Sequence, residues 1–172
     1  MLSVLIETRD QEEGLARTLA SLIGAVVEGV VREVIVCDLG STDQTRYVAE
    51  HAGCHFVAAG GIQAGIGMAK ADWLLFVEPG ARMVEGWGDA VAVHVNRSTS
   101  AAQLSRSRAA RLPFLARVFS ANRPLALGLL ITKRQAASLA KHAGSAEALA
   151  RGLAMKTLDS EIMPAAGKQQ QS

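Results

Sequence analysis

Short apolar runs rich in β-branched residues alternate with longer amphipathic stretches through the first half of the chain. Such runs predict buried strands, and apolar positions that recur every three or four residues predict helices. Strands that alternate with helices are typical of a parallel sheet with crossover helices. The four predicted strands are Ser3–Glu7, Glu33–Asp38, His55–Ala58 and Trp73–Val77.

Three predicted helices connect these strands. The first spans Gln11–Ile23 with its leucines on one face, and Gly24 is expected to help end it. The second is capped by one residue of the turn Ser41–Asp43 and runs to about Ala52, because short polar side chains accept hydrogen bonds from the first N–H groups of a helix. The third, which contains glycines, covers about 62–71.

The second half of the sequence is less regular. We predict a helix over 83–96, a short strand over Ala101–Leu104, a basic helix interrupted near Pro113 over 107–120, a last strand over Leu127–Thr132, and one or two helices over 134–154.

Composition places the chain among folded proteins. It has 172 residues, of which 49% are hydrophobic and 20% charged, with a formal net charge of +2. Disorder would require fewer apolar residues and a larger net charge. We predict one domain over 1–164 and a polar, disordered tail over 165–172. The near-balanced charge gives no strong case for nucleic acid as a partner.

The cysteines and the hydropathy pattern bear on location. Cys37 and Cys54 have no metal-ligand spacing and are too few for a disulfide scaffold, which favours a reducing compartment. No secretory signal is expected, and no transmembrane segment, because Lys70 and Asp72 interrupt the best apolar run. We therefore predict a cytoplasmic protein. The basic stretch Arg106–Arg117 is either a solvated helix face or a surface that attracts an anion. That anion is a lipid at the inner face of a membrane or a phosphorylated acceptor.

Candidate chemistry lies where the predicted strands end. In an open parallel sheet, ligands bind beyond the carboxyl ends of the strands, where loops gather. That rule selects four loops, which are expected to share one edge of the sheet: Thr8–Asp10, Asp38–Asp43, Gly60–Gln63 and Glu78–Ala81.

Three segments in a fixed order resemble family 2 glycosyltransferases. They are Ser-Val-Leu-Ile-Glu-Thr-Arg-Asp from Ser3, Val-Ile-Val-Cys-Asp-Leu-Gly-Ser-Thr-Asp from Val34, and Trp-Leu-Leu-Phe-Val-Glu-Pro-Gly from Trp73. The resemblance covers residues 2 to about 97 well. It implies a single-domain GT-A-like, Rossmann-like α/β fold with a mainly parallel sheet flanked by helices. It also implies a nucleoside-diphosphate sugar as donor, of the UDP type.

The resemblance assigns nucleotide binding to the first two loops. By this likeness Thr8 and Arg9 pack against the nucleoside, Asp38 accepts the imide N–H of uracil, and Gly40 and Ser41 complete the loop. A carboxylate acceptor makes the stronger type of hydrogen bond. The alternative is that Asp38 and Ser41 only end a strand and cap a helix, and that Thr8 belongs to an ordinary turn. The two roles of Asp38 can coexist.

The metal motif of the resemblance is incomplete. The family places an Asp-x-Asp type motif after the fourth strand, and its carboxylates hold Mg²⁺ or Mn²⁺ against the sugar diphosphate. This chain has Glu78-Pro79-Gly80 there, so Glu78 is the one acid of the motif that remains. A metal ion would bind there with lower affinity than in the complete motif. A capping or solvated surface role for Glu78 is the alternative.

The catalytic motif is also incomplete. Inverting members of the family use a general base, a carboxylate near the start of a late helix, and the matching region here is Gly144–Arg151. Glu147 is the only candidate base. The alternative is that Glu147 is an ordinary solvated residue of the helix, so the catalytic residue is unknown. The acceptor is not indicated either, because Ala126 replaces a polar residue of the family. Three hypotheses follow. The first is a glycosyltransferase that moves a sugar to a hydroxyl acceptor, and the second is a catalytically degenerate module that binds nucleotide or a protein. The third is unrelated nucleotide chemistry on the same α/β framework, because a fold alone does not fix function.

Overall fold

A computed structural model describes residues 1–110 and 123–166 of the chain. Within these residues, eight strands form one sheet, and six α-helices pack against it. The strands are β1 (Leu2–Thr8), β2 (Val31–Asp38), β3 (His55–Val57), β4 (Trp73–Phe76), β5 (Arg82–Met83), β6 (Ala102–Arg106), β7 (Leu129–Thr132) and β8 (Lys156–Met163). The helices are α1 (Glu12–Val27), α2 (Thr45–His51), α3 (Gly61–Met68), α4 (Trp87–Arg97), α5 (Lys133–Ala140) and α6 (Ala146–Ala150).

The sheet has the order β3-β2-β1-β4-β7-β6-β8-β5. Its first four strands are parallel, and β7 then pairs antiparallel with β4. The register places Thr8 directly opposite Asp38 at the carboxyl ends of β1 and β2. The two loops with the predicted nucleotide contacts therefore leave the sheet side by side.

Helices cover both faces of the sheet, so its central strands are apolar throughout. Alternate residues of β1 face opposite sides: Val4 and Ile6 pack with α1 and α4, whereas Leu5 packs with α3, α5 and α6. All three side chains are fully buried. The α/β fold with helices on both faces that the sequence predicted is confirmed.

The first half follows the predicted order of strands and helices, with shifted helix boundaries. Helix α1 continues past Gly24 to Val27, so the prediction that Gly24 ends it is wrong. The chain turns away at Gly29, whose φ of +74° is a conformation that glycine adopts without strain. Helix α3 ends at Met68 rather than near residue 71.

The second half contains a strand that the sequence analysis missed. Strand β8 lies between β6 and β5, so the prediction that Leu127–Thr132 is the last strand is wrong. The reason is that β8 buries residues mainly on one face, and polar residues interrupt its apolar ones. Residues 82–83 are a strand, so the helix predicted from residue 83 begins at Trp87.

Other predictions for this half stand in part. The strand near Ala101–Leu104 and two helices within 134–154 are confirmed as β6, α5 and α6. A short 3-10 helix, Arg108–Ala110, occupies the start of the predicted basic helix; its remainder, and residues 167–172 of the predicted tail, lie outside the described residues. No helix in the described part of the chain is long and apolar enough to cross a membrane.

Candidate functional site

A cavity of about 210 Å³ opens at the carboxyl ends of β1 and β4. Three of the four predicted loops contribute to it, together with the start of α6 and the segment after β8. It is lined by Glu7, Thr8, Arg9, Gln11, Leu39, Glu78, Pro79, Arg123, Leu125, Ala146, Glu147, Ala165 and Ala166. The fourth predicted loop, 60–63, lies elsewhere: Gln63 Nε2 donates to the Ala140 carbonyl at 2.6 Å.

Asp38 is held in one orientation by its own loop. Its Oδ2 accepts hydrogen bonds from the backbone N–H groups of Gly40 (3.1 Å) and Ser41 (3.0 Å), and its Oδ1 accepts one from Ser41 Oγ. Gly40 has a φ of +87°, which favours glycine at that position. Asp38 thus ends β2, but neither it nor Ser41 caps α2, which begins at Thr45 with Gln44 as its N-cap and no side-chain cap bond. Since a carboxylate offers roughly four acceptor positions, one remains for a ligand.

The loops after β1 and β2 hold each other by reciprocal hydrogen bonds, which we call the loop clamp. Asp10 N donates to Ser41 Oγ (2.9 Å), and Thr42 N donates to Asp10 Oδ1 (2.7 Å). Glu12 N donates to Asp43 Oδ2 (3.1 Å). Burial alone would raise the pKa of Asp43, but hydrogen bonds from Thr45 and Glu12 lower it on balance. These bonds fix the two loops against each other.

Thr8 and Arg9 lie on the cavity wall as the sequence predicted, but their surroundings differ. Thr8 is only 2% exposed, and its Oγ1 has no hydrogen-bond partner. Arg9 is exposed and lies 3.9 Å from the Asp10 carboxylate. Nucleotide binding by Thr8, Arg9, Asp38, Gly40 and Ser41 stays a prediction.

Glu78 forms an ion pair with Arg123, whose Nη1 also donates to the Ala165 carbonyl at 3.0 Å. Within residues 1–110 and 123–166, no group of three or more His, Cys, Asp or Glu side chains is placed to hold a metal ion. The described residues therefore do not form an Asp-x-Asp type site. A metal ligand at Glu78 stays a prediction that requires the pair with Arg123 to open. The sequence analysis did not single out Arg123, because nothing in its local pattern marks it.

Glu7 is a second site residue that the sequence analysis did not assign. Its Oε2 accepts a hydrogen bond from Ala146 N at 3.0 Å, and its Oε1 is buried without a partner. Burial raises the pKa of Glu7, and the bond from Ala146 opposes that rise only in part. A glutamate directly after the apolar run Val4–Ile6 was the signal available in the sequence.

Glu147 lies where the sequence placed it, near the start of the late helix. Ser145 caps the start of α6, its Oγ accepting from Ala148 N at 3.1 Å, and Glu147 lines the cavity. Its side chain is 47% exposed and lies 3.5 Å from Arg151 one turn further on. Such an exposed pair is weak. The role of Glu147 as a base stays a prediction.

Comparison with solved structures identifies the fold. The chain is similar to TarS of S. aureus, with a TM-score of 0.67, 17% identity, and coverage of 95% of this chain and 60% of that one. It is similar to mannosyl-3-phosphoglycerate synthase from Rubrobacter xylanophilus, with a TM-score of 0.59, 12% identity, and coverage of 78% and 54%. No protein-family model and no curated protein sequence matches the chain.

A third similar structure carries ligands. It is glucosyl-3-phosphoglycerate synthase from Mycobacterium tuberculosis in complex with Mn²⁺, UDP and glucosyl-3-phosphoglycerate, with a TM-score of 0.54, 18% identity, and coverage of 78% of this chain and 57% of that one. This chain thus spans between about half and three fifths of the length of these three neighbours. At such identities the likeness shows the fold, which is that of the GT-A glycosyltransferases.

Proposed function

We propose that this chain is a family 2-like glycosyltransferase domain over residues 1–164, located in the cytoplasm, that transfers a sugar from a UDP-type donor to a hydroxyl acceptor with inversion. The observation that carries the proposal is that Asp38, fixed by its own loop, lies opposite Thr8 at the edge of a cavity in a GT-A fold, where the loop clamp joins the two loops. A carboxylate that is already held in one orientation loses little conformational freedom when it accepts a hydrogen bond from a ligand.

Several described residues support binding of such a donor. Asp38 has an acceptor position for the imide N–H of uracil, and Thr8 lies opposite it in the neighbouring strand. Arg9 and Arg123 are the cations among the described residues of the cavity wall, and they can face the two phosphates. Mn²⁺ accompanies UDP in the M. tuberculosis neighbour, whereas here Glu78 is already paired with Arg123.

A catalytically degenerate nucleotide-binding module is the second candidate, and specific residues favour it. Small residues, Ala146 and Ala148, stand at the start of α6 where the sequence resemblance led us to expect acids. Release of UDP from UDP-glucose, UDP-galactose and UDP-N-acetylglucosamine, measured with Mg²⁺, with Mn²⁺ and with a chelator, separates the two candidates. If the chain binds UDP but releases UDP from none of these donors, it is the catalytically degenerate nucleotide-binding module.

Replacing Asp38 tests base recognition. Asp38→Ala is expected to weaken UDP binding about 10- to 100-fold, because a hydrogen bond to a charged group contributes about 1.5–3 kcal/mol. Titration calorimetry with UDP and with CDP gives the specific readout. Cytosine lacks the imide N–H, so the wild type should prefer UDP and the variant should lose that preference.

Ser41→Ala is the matched control, because it removes the Ser41 Oγ bonds to Asp38 and Asp10 but leaves the carboxylate in place. It should weaken both nucleotides to a similar extent and keep the preference for UDP. An Asp38→Ala variant that still prefers UDP over CDP would show that Asp38 only orders its loop.

A further inference from the structure

Two buried polar atoms without partners lie next to each other in the sequence and on the same cavity wall. Across the described residues, Glu7 Oε1 and Thr8 Oγ1 are the buried side-chain oxygens that lack a hydrogen bond. Leaving such groups unpaired costs about 1–3 kcal/mol each, so natural folds usually satisfy them. Both residues line the cavity, so a hydroxyl group that enters it, from water or from a ligand, can supply the partner.

Glu7 of β1 lies beside the start of α6, where the family resemblance led us to expect an acid and the sequence has none. The family resemblance places a carboxylate near the start of this helix, where the chain has Ala146. In the structure, the Glu7 carboxylate is bonded to Ala146 N at 3.0 Å, although the two residues are 139 positions apart. Strand β1 therefore supplies an acid next to the start of α6.

We propose that Glu7 is the general base that deprotonates the acceptor hydroxyl. This inference rests on the proposed glycosyltransferase function. Glu7 takes the proton of the acceptor O–H, and the electron pair of that oxygen forms the new bond to the anomeric carbon of the sugar. The bond from that carbon to the β-phosphate oxygen breaks, and its electron pair leaves with UDP. The protonated Glu7 then returns its proton to solvent.

The surroundings of Glu7 suit this role. The bond from Ala146 N fixes the carboxyl group, while rotation about the last torsion of a glutamate can exchange its two oxygens at low cost. Burial raises the pKa of Glu7, which makes its carboxylate a stronger base than an exposed one. The charged and titratable groups around it are the cavity residues Arg9, Glu78, Arg123 and Glu147 and the Cys37 thiol.

The exposed Glu13 of α1 does not line the cavity and is the matched control, whereas Glu147 is the competing candidate for the base. Glu147 lines the same cavity, but its side chain is about half exposed and is paired with Arg151. An exposed carboxylate keeps a hydration shell that weakens it as a base. Replacement of each glutamate by glutamine removes the basic oxygen and keeps the size of the side chain.

The test uses donor hydrolysis, in which water is the acceptor and UDP release from UDP-glucose, UDP-galactose or UDP-N-acetylglucosamine is measured. Glu7→Gln is expected to lower kcat about 100-fold or more, because a general base contributes about 10²–10⁴. UDP affinity should be unchanged, Glu147→Gln should lower kcat less than Glu7→Gln does, and the control Glu13→Gln should leave the activity at the wild-type level. The wild-type rate should fall at low pH as Glu7 becomes protonated, and the residual rate of Glu7→Gln should lack this acidic limb.

The outcomes separate this inference from the function on which it rests. Turnover that survives in Glu7→Gln, or that is lost instead in Glu147→Gln, overturns the role of Glu7 and leaves the glycosyltransferase intact. A wild-type chain that binds UDP but turns over no donor overturns the function and the role of Glu7 together. A Glu7→Gln chain that loses UDP affinity as well shows a binding role and also overturns the inference.

Discussion

Asp38 shows how one side chain can be fixed by its own loop. Three of its acceptor positions are used by Gly40 and Ser41, which fixes the carboxylate without help from any other element. Asp38 is 8% exposed, so little of it is accessible to water. A hydrogen bond made to such a group is stronger than one made in bulk water.

The raised pKa of Glu7 predicts how the free energy of unfolding depends on pH. Because burial raises its pKa in the fold, the native state binds more protons than the unfolded state above the ordinary pKa of 4.5. Stability therefore falls as pH rises from that value through the raised pKa. Glu7→Gln does not titrate, so its Tm relative to wild type should increase over the same range and then level off.

Thermal unfolding followed by circular dichroism between pH 4 and 8 measures this difference. Glu147→Gln provides the comparison, since its carboxylate is far more exposed. A Tm difference for Glu7→Gln that stays flat or shrinks as pH rises would contradict the assignment of a raised pKa.

The site residues that could be predicted from sequence are those marked by local pattern. Asp38 and Ser41 follow a continuous apolar strand and precede a helix, which is a recognisable order of residue types. Glu7 and Arg123 were missed because their partners are distant: Ala146 is 139 residues from Glu7, and Glu78 is 45 residues from Arg123. Such pairs exist only after the sheet has formed.

At the scale of elements, helix α3 packs against the sheet through a glycine. A Cβ added at Gly65 would lie 2.3 Å from Cys37 Sγ and 3.3 Å from Leu5 Cδ2. Burial raises the pKa of Cys37 to about 12, to which the charge of Glu7 adds, so the thiol is a packing group rather than a nucleophile. Gly65 thus sets the distance between α3 and the central strands.

Gly65→Ala should destabilise the fold by about 1–3 kcal/mol, because an extra methyl group in a packed core forces its neighbours apart. Urea unfolding gives the free energy of unfolding. Gly67→Ala, in the same helix, is the matched control. Its added Cβ meets nothing within 4 Å, so it should stabilise the helix by roughly 0.5–1 kcal/mol. Equal effects of the two variants would rule out close packing at Gly65.

Strands could be predicted where both of their faces are buried, because such strands appear in the sequence as continuous runs of apolar residues. Strands β1, β2 and β4 have that pattern, and the sequence located all three. Strand β8 has one buried face and polar residues at every other position or closer, and β5 has two residues, so neither produces a signal above that of a loop. Their positions depend on pairing with each other and with β6.

At the scale of the molecule, Arg123 joins the two halves of the chain. Its guanidinium pairs with Glu78 after β4 and donates to the Ala165 carbonyl after β8. The side chains of Glu78 and Arg123 are 17% and 29% exposed, so water screens the pair only in part. The contact closes one side of the cavity and holds the loop after β4 against the end of the sheet.

Arg123→Met should therefore destabilise the chain by about 1–3 kcal/mol, since it removes the guanidinium from a partly buried carboxylate and a carbonyl. Arg17→Met is the control: Arg17 pairs with Glu13 at 2.7 Å on the exposed face of α1, and its loss should change stability by less than about 0.5 kcal/mol. Urea denaturation compares the two. Similar small losses would mean that Arg123 contributes no more than a surface pair.

The position of β5 has a consequence for how the chain is made. The strands β1 to β4 are neighbours in the sheet and are complete once residue 76 has left the ribosome. Strand β5 comes next in the chain, but its partner is β8, with Met83 opposite Ile162. At translation rates of about 5–20 residues per second, β5 waits roughly 4–16 s for that partner. Met83, buried in the finished fold, is uncovered on the nascent chain for that time.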